Sequence, residues 1–255
     1  MSSVPKVILD TCVLVSASVH GFYEETGISL EHKFYGRTIP LFDVLRKNID
    51  KRIGVVTFTV EMQALTVLAK AVTEALEEES ERNPDQRMQL FMSYSALFDK
   101  CHKHLYENLE ILVREPIPPD QREKHYLAVS AMYDRFEDSA GDLDVDKLIR
   151  ANVTPRYYKT VRNEIYGQYQ KRFHQVLKLK QEPVEDSDKM ILAEAVYLHS
   201  CRSDATAKTY LASTDYHFSP INSEGPITDE IRKRFGIICD WPDKIAANLR
   251  SDGIQ

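Results

Sequence analysis

Lys6-Val7-Ile8-Leu9-Asp10-Thr11-Cys12-Val13-Leu14 is a short apolar run, rich in branched side chains, that leads into a carboxylate and a hydroxyl. Such a run reads as a strand buried on both faces, of the kind found in the middle of a parallel sheet. Ligands of open α/β folds bind at the C-terminal edge of the strands, which is where Asp10 belongs. Aspartate also caps and turns chains at that edge. The reading therefore depends on whether other carboxylates hold similar addresses.

On the C-terminal side, residues 16–35 contain Gly21 and Gly27 and read as a loop or short irregular helix. Residues 39–51 place Leu41, Phe42, Val44, Leu45 and Ile49 at helical spacing. Residues 52–57 read as a second strand, followed by a helix over 60–79 with Glu61 near its start. Strand, helix, strand, helix implies parallel strands and α/β architecture. Beyond this the pattern is helical, over 90–109, 121–137 and 154–180, with only 109–113 as a further strand candidate and an acidic hinge at 138–146. The last of these helices opens on Thr154-Pro155, a cap followed by proline at the first helical position. Residues 71–182 thus read as a helical insertion or cap packed on a core made of 1–70 and 183–255. The core resumes with a helix capped by Asp186 or Ser187, which puts Asp188 in its first turn. A strand over 209–215 then ends in Ser213-Thr214-Asp215, and a short strand over 236–239 is closed by Trp241-Pro242.

At 255 residues the chain can bury a sizeable core, and 43% hydrophobic with 28% charged residues is the balance of a globular protein. No stretch approaches the roughly 18 apolar residues of a membrane span. Met1-Ser2-Ser3 runs directly into the first strand, so no signal peptide is expected. The four cysteines are scattered without metal-ligand spacing, which predicts reduced thiols and a cytoplasmic protein. A formal charge of −6 weighs against bulk attraction to nucleic acid but leaves room for a local basic surface. The best candidate is the 155–180 helix. It carries Arg156, Lys159, Arg162, Lys171 and Arg172 with tyrosines interleaved, a pattern suited to phosphates and unpaired bases. A solvated basic face over a buried tyrosine stripe fits the same pattern equally well.

Four carboxylates now have comparable addresses: Asp10 and Asp215 end strands, while Glu61 and Asp188 begin helices. In a doubly wound sheet these positions share one edge and can converge on one pocket. Gathered carboxylates repel one another unless a cation relieves them, and oxygen ligands favour Mg²⁺ or Mn²⁺. Such a site can activate water and stabilise charge on phosphate oxygens. Each acid also has a plainer reading as a turn, cap or helix N-terminal residue. His217, close behind Asp215, is placed to touch substrate but reads more readily as a surface histidine.

The sequence resembles the PIN-domain nucleases. The likeness rests on the strand Val7-Ile8-Leu9-Asp10-Thr11, on Glu61 at a helix start, on Asp188-Lys189-Met190-Ile191-Leu192-Ala193, and on Leu211-Ala212-Ser213-Thr214-Asp215-Tyr216-His217-Phe218. The closing strand with Trp241-Pro242 is similar to the family's final strand and proline, and the likeness covers residues 1–70 and 183–248. It implies a PIN-like three-layer α/β/α sandwich with a central parallel sheet, here with a large helical insertion. It also implies divalent-metal binding and phosphodiester hydrolysis, usually of RNA. The implied catalytic and metal-binding set is Asp10, Glu61, Asp188 and Asp215, with Mg²⁺ or Mn²⁺. Ser213 matches the small hydroxyl that often precedes the last acid, and Thr11 is a second supporting residue. Cys12 stands where many members have Asn, and the insertion is much longer than in the compact toxin members.

The expected function is therefore a metal-dependent endoribonuclease acting on RNA, with DNA an open alternative substrate, a homodimer open, and no membrane association. Two other classes remain: a non-catalytic RNA-binding or assembly module that keeps the acids for structure, and an acidic Mg²⁺-site phosphoesterase acting on small substrates.

Overall fold

The computed structural model describes residues 4–26, 35–82, 84–141, 175, 179, 182–204, 206–219 and 225–254. Lys6–Leu9 forms β1, whose Val7, Ile8 and Leu9 are wholly buried. Helices α1 (Thr11–Thr26) and α2 (Tyr35–Lys47) lead to β2 (Gly54–Val56). Then come α3 (Phe58–Arg82), α4 (Arg87–Glu110), the two-residue β3 (Val113–Arg114) and α5 (Pro119–Gly141). After residue 182 the chain forms α6 (Asp186–Ser200), β4 (Thr209–Ala212), α7 (Pro226–Phe235), β5 (Ile237–Asp240) and α8 (Pro242–Ser251).

The five strands make one sheet in the order β3-β2-β1-β4-β5, and every neighbouring pair is parallel. This bears out the α/β reading and the central position of the opening strand. Helices α1, α2, α3, α4 and α8 pack on one another, and α5 packs on α6. Right-handed crossovers send connections that run to opposite sides of the sheet over opposite faces, which gives three layers, α/β/α. The winding goes outward from β1 to β2 and β3, then returns to β4 and continues to β5. The reversal falls between β1 and β4, where open α/β sheets leave a crevice at their C-terminal edge.

Two expectations need correction. The loop or short irregular helix expected over 16–35 is a regular helix through Thr26. Gly21 lies in that helix where a Cβ would come within 2.8 Å of the His104 ring on α4, so the glycine marks a close helix approach and not a turn. The strand expected over 109–113 shrinks to β3, because α4 runs on to Glu110. The described part of 71–182 is woven into the sandwich: β3 pairs with β2, α4 packs on α1, and α5 packs on α6. The basic helix over 154–180, with Arg156, Lys159, Arg162, Lys171 and Arg172, lies outside the described residues apart from Gln175 and Leu179. No helix among the described residues is long and apolar enough to cross a membrane.

Candidate functional site

The register that pairs Leu9 with Ala212 brings the C-terminal ends of β1 and β4 level, and the Asp10 amide donates to the Ala212 carbonyl at 3.0 Å. Asp10 is thereby held at the start of α1 with both carboxylate oxygens engaged. Its Oδ1 accepts from the Thr11 amide at 2.6 Å. Its Oδ2 accepts from the Ser213 hydroxyl at 2.5 Å and from the Cys12 thiol at 3.0 Å. Cys12 thus supplies a donor to the first acid. Its sulfur in turn accepts from the Thr214 amide at 3.3 Å. Asp10 is only 4% exposed, and burial pushes its carboxyl up to about 6. The Cys12 and Ser213 hydrogen bonds oppose that rise, while the charges of Asp188 and Asp215 add to it.

Asp215 follows β4 in a tight turn. Its amide donates to Ser213 Oγ at 2.9 Å, and its Oδ1 accepts from the His217 amide at 2.8 Å. Asp188 sits in the first turn of α6, whose N-cap is Glu185, one residue before the position expected. Asp188 and Asp215 meet at His217, whose Nδ1 lies 2.9 Å from Asp188 Oδ2 and 3.1 Å from Asp215 Oδ1. These three residues present ligand atoms within 4.8 Å of one another.

The expectation of a surface histidine is overturned, for His217 is 6% exposed. Its Nε2 lies 3.2 Å from the Glu182 carbonyl, and its own carbonyl accepts from the buried phenol of Tyr133 on α5 at 3.0 Å. Tyr216 reinforces the turn by donating to the Glu182 carbonyl at 2.8 Å. Burial alone would lower the imidazole pKa, but its contact with Asp188 and the charge of Asp215 outweigh burial and hold it above the ordinary value. A spacing of two residues from Asp215 was the only signal in the sequence. The ring's partners include the Glu182 carbonyl and Asp188, both far from it in sequence, so no local pattern reveals its burial.

Glu61 lies in the first turn of α3, as expected, but its carboxylate is engaged in a two-oxygen pair by Arg114 Nε of β3, at 2.9 and 3.1 Å. Thr11 turns toward α3 as well, donating to Gln63 Oε1 at 3.0 Å. The structure therefore gathers Asp10, Ser213, Asp188, Asp215 and His217 around the reversal of winding, and gives Glu61 a cationic partner of its own. Sequence reasoning also passed over Glu194 of α6. It is fully buried, accepts from the Thr59 hydroxyl at 2.9 Å, and pairs with Arg122 of α5 at 3.1 Å. Its place inside the packed layers makes it a tie between α3, α5 and α6.

The donor set fits a divalent cation. It offers carboxylate oxygens from Asp188 and Asp215 and one imidazole nitrogen. That nitrogen is buried and makes no aligned hydrogen bond, despite its short distances to both carboxylates. Compared with models of protein families, with curated proteins and with solved structures, the chain matches none.

Proposed function

We propose that this chain is a PIN-like, divalent-metal-dependent endoribonuclease whose centre is formed by Asp10, Asp188 and Asp215. The observation that carries the reading is the meeting of these carboxylates at the C-terminal ends of adjacent parallel strands, where the winding of the sheet reverses. A bound Mg²⁺ or Mn²⁺ would supply positive charge for phosphate oxygens and a lowered pKa for an attacking water. Asp188 and Asp215 would hold the ion. Asp10, fixed by Ser213, Cys12 and Thr11, adds a third negative charge that raises the site's preference for a cation. Ser213 orients both strand-end acids at once, since it donates to Asp10 and accepts from the Asp215 amide. Glu61, partly neutralised by Arg114, would act at the margin of the site.

The test is cleavage of single-stranded RNA of mixed structure by the full chain with Mn²⁺, with Mg²⁺ and with EDTA, alongside Asp10→Asn. The expected result is cutting that needs metal and disappears in the variant. Wild type and variant that bind RNA equally and cut nothing would replace the catalytic reading with a binding module. Turnover of a small phosphate ester without RNA cleavage would make the protein a phosphoesterase.

A further inference from the structure

We infer that His217 is itself a ligand of the metal centre, through Nδ1, and that its nitrogen tunes the site toward Mn²⁺ and softer first-row ions over Mg²⁺. The inference rests on the metal-site reading above and deepens it.

The tautomer is fixed by the backbone. Nε2 lies 3.2 Å from the Glu182 carbonyl, and a carbonyl can only accept, so Nε2 carries the hydrogen. In the neutral ring the lone pair then sits on Nδ1, on the side that faces Asp188 and Asp215. An imidazole whose far nitrogen donates to a backbone carbonyl is a recurrent arrangement of metal-ligating histidines, because it sets both tautomer and ring orientation. Tyr133 and Tyr216 hold the same turn from either side, through the His217 carbonyl and the Glu182 carbonyl.

The distances agree with ligation. Neighbouring ligands around an octahedral ion with bonds of about 2.1 Å are about 3.0 Å apart. Nδ1 lies 2.9 Å from one carboxylate oxygen and 3.1 Å from the other, yet hydrogen-bonds to neither. Such separations would suit the edges of a coordination polyhedron, and they are a poor geometry for an N–H donor. Carboxylates alone suit Mg²⁺, whereas an imidazole favours first-row transition ions, in the order that rises from Mn²⁺ to Cu²⁺ and falls again at Zn²⁺.

The competing account is that an imidazolium at this position substitutes for the ion, and the two accounts predict opposite effects of removing the ring. Mn²⁺ binding to the full chain can be followed by electron paramagnetic resonance, with Mg²⁺ as competitor. The proteins compared are wild type, His217→Gln, which deletes Nδ1 but can still donate to Glu182, and Asp188→Asn. Wild type is expected to hold Mn²⁺ more tightly than Mg²⁺ and to show spin-echo modulation from a coordinated ¹⁴N. His217→Gln should lose that modulation and weaken Mn²⁺ at least about tenfold, the lower end of what even an outer-shell partner costs, with Mg²⁺ little changed. The nitrogen signature is read on wild type, so it decides the matter even if the variant does not fold. Bound Mn²⁺ without nitrogen modulation, or equal or tighter binding by His217→Gln, overturns the inference. If Asp188→Asn loses the ion in that case, the acidic centre itself stands. Wild type that binds no Mn²⁺ removes both.

Discussion

The hydroxyl of Ser213 serves two acids, donating to Asp10 Oδ2 and accepting the amide of Asp215. It is fully buried, so no water replaces it when it is removed. Ser213→Ala therefore takes an acceptor from the Asp215 amide and a donor from the buried Asp10 carboxylate. Such losses cost about 1–3 kcal/mol each where water cannot enter, and urea denaturation should place the variant at least about 1 kcal/mol below wild type. The Asp10 carboxyl should titrate at higher pH in that variant, readable by carbonyl ¹³C shifts, because one of the groups opposing its rise is gone. At this scale the sequence was informative wherever an acid ended a strand or began a helix. Asp10 and Asp188 stand where their local patterns placed them, whereas β4 stops at Ala212 and Asp215 lies three residues beyond the strand it was expected to end. Partners were not legible. Nothing near Glu61 announces that Arg114, fifty-three residues away, will take its carboxylate. Nor does anything around His217 indicate that it is buried.

Between elements, the link most exposed to mutation is the pairing of Arg122 on α5 with Glu194 on α6. Glu194 is wholly buried, and apart from Arg122 its carboxylate is met by the hydroxyl and amide of Thr59 at the start of α3. Arg122→Ala strands that charge in a dry interior, where breaking one side of a buried pair costs about 3–5 kcal/mol. A drop toward the lower end is expected in chemical denaturation, since Arg122 is itself partly exposed, and Arg122→Ala with Glu194→Gln should recover part of it. Most elements were legible because each carries its own period: buried strands as apolar runs, helices as 3.6-residue stripes. Misreadings arose where tertiary contact overrode the local signal. Gly21 looked like a loop residue because its reason lies on α4, and β3 is too short to carry any period. Pro242, read as a strand terminator, is also the first residue of α8.

For the molecule as a whole, the proposed site predicts that the acids and the histidine make stability depend on pH and on cations together. Asp10 rises from 3.8 to about 6 on folding, so the folded state holds its proton more firmly than the unfolded chain does. That contribution is fully present below about pH 4 and is lost as pH climbs through 6, a change of about 3 kcal/mol. The raised imidazole of His217 has the same sign: its contribution is present below pH 6.5 and lost as pH rises through the folded value. Unfolding free energy in EDTA should therefore fall over this range. A cation that binds only the folded state at about a hundred times its dissociation constant adds about 2.7 kcal/mol, so Mn²⁺ should offset most of the Asp10 part of the fall at pH 8. The position of the site in the layered architecture was readable because parallel winding constrains where strand ends meet. The grouping of helices around it was not, since that depends on which faces the long helices bury. Tyr133 ties α5 to the turn that carries His217, so loading the site with an ion should slow amide hydrogen–deuterium exchange around Tyr133. A helix that offers the ion no ligand would then report whether the site is filled.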